Sequence, residues 1–426
     1  MDMKLLIKNG RVIDPEQNRD GIFDILVIGG TITKIGQDLN ADADTVIDAT
    51  GKWVVPGLID VHVHLREPGF EHKETIETGA RSAARGGFTT ICCMPNTNPP
   101  IDNIEIVEFI NTKAKQANLI NVLPIGAITK GQSGTELIEI GKMRKAGICA
   151  VSEDGKSVMD SGLLKKAMIE AKKHNLPMLS HCEDMTLAGG SMNEGENSHR
   201  LGIKGIGNDA EDVITARDII LAKHTGVKLH LCHVSTAMSL GIIRFAKSMG
   251  VKVTGETAPH YFALTDDRVK IDDPNAKMSP PLRTKKDQDA MKKALQDGTI
   301  DIIATDHAPH HADEKNVAFE KAPFGIVGLE TSFAISYTEL VETGLLTPMA
   351  LIAKMSTNPA KLMGIDKGSL AQGKVADITI IDVEKTYTID PNEFVSKSKN
   401  TPFSGKAVKG KIEYTIVNGK VVFKEI

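Results

Sequence analysis

The sequence lacks an excess of basic residues, a long apolar run and cysteines at C-x-x-C spacing. Its 51 lysines and arginines are balanced by 55 aspartates and glutamates, which gives a formal net charge of -4. Because a protein that binds nucleic acid over a broad surface usually carries a basic excess, that class is disfavoured. No stretch approaches the ~18 consecutive apolar residues of a membrane span, and the N-terminus is not typical of a secretory signal. Recognition of a small ligand by a few residues remains open.

The five cysteines are odd in number, so a disulfide framework is not expected. A reducing cytoplasm is therefore the predicted location. Cys182 and Cys232 flank candidate metal ligands, but adjacent side chains on a strand face opposite ways. We expect both to be buried free thiols rather than ligands.

Both ends of the chain are rich in short runs of β type. Residues 5–14 and 414–423 each contain an Asn-Gly pair between two such runs. Since Asn-Gly tolerates positive φ at both central positions, each pair predicts a type I′ hairpin turn. Further short strands are predicted within residues 20–50 and 376–382. Such strands bury too little apolar surface alone, so we expect the two ends to meet in one small β-domain.

The middle of the chain, roughly residues 57–361, alternates apolar runs of strand length with segments of helical composition. The runs are residues 54–61, 88–94, 120–127, 148–151, 176–179, 228–232, 251–254 and 300–304. Eight apolar strands that alternate with helices favour a parallel α/β barrel over an open sheet. This pattern predicts an insertion with its own core.

Residues of the types that bind metals lie at the ends of these predicted strands. His62 and His64 end the first strand and share one face, because side chains alternate along a strand. Later runs end in several residues of the same types each, within Glu153–Asp154, His181–Glu183, His230–His233 and Asp306–His310. The carboxyl ends of barrel strands converge on one face, where active sites lie. Since imidazole and carboxylate suit zinc, we predict a metal site there.

Several motifs resemble those of the dihydroorotase family. The two signature runs are Asp60–Gly69 and Ala304–His310, the latter with Lys315 five residues beyond, and the resemblance extends to Met94–Thr97, Pro280–Arg283 and Ala322–Gly325. It spans essentially the whole chain. It implies the amidohydrolase superfamily, with a distorted TIM-type (β/α)8 barrel in residues 57–361. It also implies an accessory β-sandwich formed by residues 1–56 and 362–426.

The resemblance is to the bacterial class I type, in which an aspartate is the bridging ligand. It implies that His62 and His64 bind the first zinc ion, and that Asp306 contacts the same metal. It also implies that His181 and His233 bind the second zinc ion, and that Asp154 bridges the two. One or two Zn²⁺ ions per subunit are expected, with two favoured.

The activity implied is zinc-dependent dihydroorotase, the reversible cyclisation of N-carbamoyl-L-aspartate to (S)-dihydroorotate and water in pyrimidine (UMP) biosynthesis. Zinc-bound hydroxide would attack the ring carbonyl, and Asp306 would be the catalytic proton shuttle. Arg66 would hold the substrate carboxylate through two parallel hydrogen bonds, with Asn96 and His310. The other substrate-binding candidates are His64, Ser279, Phe324 and Gly325.

The sequence departs from the family pattern at two positions. Ser279 stands where asparagine is common, and its hydroxyl cannot make the same two-ended hydrogen bond. Gly207 stands where proline is usual, within a Gly-, Ser- and Asn-rich stretch, residues 188–208, that predicts a mobile surface loop. His260 ends the seventh run and is assigned to a structural or supporting role.

Two alternatives are weighed against this interpretation. One is another cyclic amidohydrolase, such as a hydantoinase, dihydropyrimidinase or allantoinase; Asp154 and the pair Arg66 and Asn96 argue against it. The other is a catalytically silent homologue that acts as an assembly partner, and the complete set of ligands argues against that. A homodimer, and a possible association with aspartate transcarbamoylase, are expectations from the family.

Overall fold

The structure, a computed structural model, describes residues 3–425. Its strands are β1 (Lys4–Asp14), β2 (Arg19–Ile28), β3 (Thr31–Gly36), β4 (Thr45–Asp48), β5 (Trp53–Pro56), β6 (Leu58–Val63), β7 (Phe88–Cys93), β8 (Asn121–Ala127), β9 (Ala150–Ser152), β10 (Met178–Ser180), β11 (Met192–Asn193), β12 (Gly205–Ile206), β13 (Leu229–Leu231), β14 (Val253–Thr257), β15 (Ile302–Ile303), β16 (Ile378–Thr388), β17 (Ala407–Val417) and β18 (Lys420–Lys424). Its α-helices are α1 (Ile76–Arg85), α2 (Ile104–Ala117), α3 (Ile140–Ala146), α4 (Ser161–Lys173), α5 (Glu196–Leu201), α6 (Asp209–Thr225), α7 (Ala237–Ser248), α8 (Pro259–Ala263), α9 (Lys285–Asp297), α10 (Ala312–Lys315), α11 (Ser332–Ser336), α12 (Pro348–Ile352) and α13 (Asn358–Met363). Among these residues, no helix is long and apolar enough to cross a membrane.

The two ends of the chain form one eight-stranded sheet, as the sequence predicts. The strand order is β18-β17-β16-β5-β1-β2-β3, with β4 paired to β1. The two termini meet where β5 pairs with β16 in antiparallel register. The apolar side chains on one face of these strands form a shared core that includes Ile7, Val54, Ile378 and Ile416, all fully buried. Neither end could bury this face without the other.

The two Asn-Gly pairs have different structures. Asn418–Gly419 connects β17 to β18, and both residues have positive φ, at 50° and 74°. This hairpin is confirmed. Asn9–Gly10 instead lies at a bulge inside the continuous strand β1, so the hairpin predicted there was wrong. The N–H of Asn9 donates to Asp24 at the bulge, at 2.7 Å. A Cβ at Gly10 would lie 2.3 Å from Val54, so glycine is needed for β1 to approach β5.

Eight parallel strands form the predicted barrel, in the order β6-β7-β8-β9-β10-β13-β14-β15. A bridge between Val63 and His307 joins its two ends. Each of the eight apolar runs overlaps one strand, but the first run divides at Gly57. Its first half is β5, which belongs to the sheet formed by the two ends of the chain, here called the terminal sheet. Only its second half enters the barrel, as β6. A Cβ at Gly57 would lie 2.2 Å from Thr89, so only glycine fits at this change of sheet.

Helix α1 packs on the barrel through one apolar face. The Thr75 side chain caps this helix, and Ile76, Ala80 and Ala83 on one face are buried. Such a stripe, spaced at three and four residues, is what holds an amphipathic helix against a sheet. Inside the barrel, Cys92 and Cys232 pack with Val61, Ile125, Leu179 and Ile302. All five cysteines are buried and free, as expected.

The stretch 188–208, predicted as a surface loop, contains regular structure. It holds the paired strands β11 and β12 with α5 between them. The buried guanidinium of Arg283 donates to the side chain of Asn193 and to the carbonyl of Ile206, at 3.1 Å each. Hydrogen bonds to a distant arginine are a tertiary effect that the composition of this stretch could not reveal.

Trp53 anchors the terminal sheet on the barrel layer. Its ring lies edge-on to Phe333 and Tyr337, with centroid distances of 6.4 and 5.4 Å. The side chain is 4% exposed. Aromatic pairs of this kind add to the stabilisation that comes from burial of their area.

Trp53→Ala should therefore lower the free energy of unfolding by about 3–5 kcal/mol. Urea unfolding followed by far-ultraviolet circular dichroism measures this, since Trp53 is the only tryptophan of the sequence. Trp53→Phe is the control and should lose less than half as much. A loss below about 1 kcal/mol for Trp53→Ala would contradict this role.

Candidate active site

The six candidate metal ligands converge at the carboxyl ends of the barrel strands. His62 lies in β6 and His64 directly after it. The other four follow four further strands: Asp154 after β9, His181 after β10, His233 after β13 and Asp306 after β15. Each of the six is at most 8% exposed. The structure thus brings together residues that are spread over some 240 positions of the sequence.

On one side of this cluster, two imidazoles face two carboxylates. His62 Nε2 lies 3.3 Å from Asp154 Oδ1 and 3.5 Å from Asp306 Oδ1. His64 Nε2 lies 3.1 Å from Asp306 Oδ1 and 3.5 Å from Asp154 Oδ2. Both imidazoles therefore turn the same nitrogen toward the same space.

On the other side, His181 and His233 face the same aspartate. His181 Nδ1 is 3.5 Å from Asp154 Oδ1 and 2.8 Å from His233 Nε2. His233 Nε2 is 3.8 Å from Asp154 Oδ1. The carboxylate of Asp154 thus lies between two pairs of histidines.

The cluster fits a metal centre by its donor atoms. Two groups, His62 with Asp154 and His233, and His62 with His64 and Asp306, place their ligand atoms within 4.8 Å of one another. His62 Nε2 and Asp154 Oδ1 are buried without a hydrogen-bond partner in the described part of the chain. Buried polar atoms are normally paired, so unpaired nitrogen and oxygen atoms that face one centre fit a bound cation.

In three of the four histidines, the ring nitrogen that points away from the cluster is within hydrogen-bond distance of an oxygen atom. His62 Nδ1 lies 2.6 Å from Glu256, and His64 Nδ1 lies 2.8 Å from the Asn96 oxygen. His181 Nε2 lies 3.3 Å from Glu183. With a cation bound, the proton would lie on the nitrogen beside each oxygen, and the other nitrogen would offer its lone pair to the cation.

Glu256 and Glu183 were not among the predicted site residues. Glu256, on β14, also accepts from His230 Nε2 at 2.9 Å. Burial opposes its charge, but His62 and His230 hold the pKa of its carboxyl well below the usual value. Glu256 follows the seventh apolar run, 251–254, by two residues and lies near the carboxyl end of β14, and this position is the signal that could have identified it.

The two carboxylates of the cluster are ionised at neutral pH. Burial alone would raise the pKa of Asp154, but His62, His181 and His233 outweigh it and hold that pKa well below the ordinary value. For Asp306, burial is likewise outweighed, here by His62 and His64, and the pKa is lowered. Both groups are therefore available as ligands or bases.

Asp60 supports the cluster from beneath rather than joining it. Its carboxylate accepts from the backbone N–H of His62 at 3.0 Å and of Thr305 at 3.2 Å. It thereby ties the end of β6 to the end of β15. Burial raises the pKa of Asp60 to about 7.

Three site residues have a strained backbone. Arg66, His233 and Asp306 have φ of 65°, 34° and 49°, in the left-handed region that disfavours residues with a Cβ. Such conformations cost of order 1–3 kcal/mol each and persist where the surrounding structure holds them. Here they turn side chains at strand ends toward a common pocket.

The predicted substrate-binding residues line the pocket above the cluster, and they are His64, Arg66, Asn96, Ser279, His310, Phe324 and Gly325. Arg66 Nε donates to the Pro309 carbonyl at 3.1 Å, which orients the guanidinium. Asn96 Nδ2 donates to Asp154 at 3.2 Å. Ser279 Oγ donates to Glu183 at 3.2 Å, and through that carboxylate it is connected to His181, a candidate ligand. His260 is buried outside this lining, in α8.

His310 is neutral in this pocket. Burial and the neighbouring cations Arg66, Lys315 and Lys73 lower its pKa to about 2. Its Nε2 lies 2.8 Å from the Phe324 carbonyl oxygen and is assigned as the protonated nitrogen. His310 therefore joins the end of one barrel strand to the pocket segment that contains Phe324.

The fold and the site together define a cyclic amidohydrolase. The L-hydantoinase of Arthrobacter aurescens superposes with a TM-score of 0.89 at 29% identity, covering 100% of this chain and 96% of that one. The dihydropyrimidinase of Brevibacillus agri superposes with a TM-score of 0.86 at 27% identity, covering 99% and 95%. These solved structures share the whole architecture.

Sequence relatives narrow the class. Residues 51–239 match the family model described as dihydro-orotase-like. The dihydroorotase of Acetivibrio thermocellus is 54% identical over 422 residues, which is 99% of each chain. That of Geobacter metallireducens is 54% identical over 424 residues, 99% of this chain and 100% of the relative. The chain belongs to the dihydroorotase family.

Glu256→Gln should weaken metal binding, because the amide is a poorer acceptor for the Nδ1 proton of His62. We expect the affinity for zinc to fall about 10- to 100-fold. Competition with a chelator of known affinity measures it, with circular dichroism to verify the fold. Glu136→Gln, at an exposed glutamate, is the control. An unchanged affinity would rule out this orienting role.

Proposed function

We propose that this chain catalyses the reversible cyclisation of N-carbamoyl-L-aspartate to (S)-dihydroorotate and water with zinc at the histidine–aspartate cluster. The observation that carries the proposal is one pocket that joins this cluster to the cationic side chain of Arg66. A cyclic amide that bears a carboxylate needs both features. Membership of the dihydroorotase family supports the same reaction.

Two zinc ions fit the arrangement of the side chains better than one. His62, His64 and Asp306 would hold one ion, and His181 and His233 the other. Asp154 would bridge them, which is supported by its position between the two histidine pairs. When bound, zinc lowers the pKa of water and polarises a carbonyl oxygen.

Asp306 is the proposed proton shuttle. Its carboxylate is ionised at neutral pH and borders the pocket beside His64. In ring opening it takes a proton from the attacking water and delivers it to the departing ring nitrogen. In ring closure it takes the proton from the ureido nitrogen and returns it to the departing oxygen. Closure consumes one proton and one free carboxylate.

Arg66 is the proposed partner of the substrate carboxylate. Burial lowers the pKa of its guanidinium to about 10, so it remains charged at neutral pH. Asn96 and the neutral His310 border the same pocket. A planar guanidinium with fixed orientation can donate two parallel hydrogen bonds to a carboxylate. Ser279 and the backbone of Phe324 and Gly325 complete the proposed contacts to the ring.

A cytoplasmic location is supported by the five free, buried cysteines. A homodimer and an association with aspartate transcarbamoylase stay predictions from the family resemblance.

The assay that tests the proposal is hydrolysis and synthesis of dihydroorotate by the purified, zinc-loaded protein. Asp306→Asn should lower kcat about 100- to 10,000-fold, because the amide cannot accept the proton. Zinc content, measured by atomic emission, should remain at the wild-type level. A variant with near-normal kcat would refute the shuttle, and wild-type protein without activity would refute the function.

Arg66→Lys keeps the charge but loses the fork of two parallel donors. We expect KM for dihydroorotate to rise about tenfold. Hydrolysis of dihydrouracil, which has no carboxylate, is the internal control and should not weaken in parallel. An unchanged KM for dihydroorotate would show that Arg66 does not bind the substrate carboxylate.

A further inference from the structure

The backbone carbonyl groups of three consecutive residues, Pro323, Phe324 and Gly325, accept hydrogen bonds from three separate side chains. Lys315 Nζ donates to the Pro323 oxygen at 2.8 Å, His310 Nε2 to the Phe324 oxygen at 2.8 Å, and Asn400 Nδ2 to the Gly325 oxygen at 3.0 Å. Phe324 and Gly325 line the pocket, but Lys315 and Asn400 lie behind them. We call residues 323–325 the pocket wall.

Lys315 ties the pocket wall to a second loop. Its Nζ also donates to the carbonyls of Pro274 at 3.1 Å and Lys277 at 3.3 Å. The Lys277 carbonyl in turn accepts from the Gly325 N–H at 2.9 Å. Lys315 is 5% exposed. A buried ammonium is costly unless its hydrogen-bond donors are satisfied, and here three carbonyls satisfy them.

Asn400 ties the pocket wall to the end of the last barrel strand. It lies between β16 and β17, in a part of the chain that belongs to the terminal sheet. Its Oδ1 accepts from the His310 N–H at 3.2 Å, and its Nδ2 donates to the Ala308 carbonyl at 3.1 Å. One buried amide therefore joins the His310 segment to Gly325.

The pocket wall has no room for a side chain at Gly325 that could fix its backbone. Gly325 has φ of 125°, and a Cβ there would lie 2.6 Å from the Cβ of Ala308. Its backbone packs directly on the segment that carries His310. Because no side chain fits at Gly325, the backbone of the pocket wall is fixed by hydrogen bonds from side chains elsewhere in the sequence, those of Lys315, His310 and Asn400.

We propose that Lys315 and Asn400 are positioning residues for substrate binding, because they set the backbone of the pocket wall and the imidazole of His310 against the substrate. This inference rests on the proposed function. It accounts for Lys315, a residue of the second signature run that has no contact with the pocket. A displacement of these groups would misalign the hydrogen bonds that hold the substrate, and hydrogen bonds weaken steeply when their geometry is distorted.

The test measures steady-state kinetics of Lys315→Met and Asn400→Ala in the full-length, zinc-loaded protein. KM for dihydroorotate should rise about 10- to 100-fold, with kcat within about threefold and zinc content unchanged. Asn400→Asp keeps the acceptor for His310 but loses the donor to Gly325, so it should resemble Asn400→Ala. Lys315→Arg keeps donors and should recover part of the affinity.

Lys321→Met and Asn392→Ala are the matched controls, since both side chains are exposed. They should have wild-type KM. A wild-type KM in Lys315→Met and Asn400→Ala would overturn the inference, and so would a fall in kcat with loss of zinc. If either variant does not fold, Asn400→Asp decides by the same criteria, since it is expected to raise KM as Asn400→Ala does. Wild-type protein that does not hydrolyse dihydroorotate would instead refute the proposed function.

Discussion

The buried carboxylate of Asp154 is the group on which the rest of the site depends. It lies within 3.8 Å of side chains from three different strand ends, those of His62, His181 and His233. A carboxylate without partners would be protonated at such a depth, but these imidazoles keep its pKa low. The barrel must therefore close with these strand ends in contact, or the charge would have no compensation. The closure of the barrel and the assembly of the site therefore depend on the same contacts.

The closure of the barrel is maintained by contacts directly beneath the site. Asp60 joins the backbone of His62 to that of Thr305, and the His64 N–H donates to the His307 carbonyl at 2.8 Å. The same contacts place Asp306 beside His64. The sheet from the two termini adds a further constraint, since Asn400 reaches from its strands to the end of β15. The terminal sheet thus contributes to the pocket as well as to stability.

Local patterns in the sequence were sufficient for much of the fold. The eight apolar runs each correspond to one barrel strand because a fully buried strand needs a continuous apolar segment. The two Asn-Gly pairs show the limit of such patterns. Positive φ at Asn9 serves a bulge and at Asn418 a hairpin, and only the pairing with other strands distinguishes the two. The same is true of residues 188–208, which Arg283 organises through hydrogen bonds to residues 77 and 90 positions away in the sequence.

The sequence alone was enough to predict the barrel, the sheet from the two termini and a metal site at the strand ends, because strand alternation and the convergence of strand ends are general properties of the chain and of the barrel. The choice of the six clustered side chains among the polar residues at those ends came from the motifs shared with the family. Only the tertiary structure revealed Glu256, Glu183, Lys315 and Asn400 as partners of the site, and the left-handed backbone at Arg66, His233 and Asp306. Those contacts join residues far apart in sequence, and their geometry depends on how the strands and loops pack together.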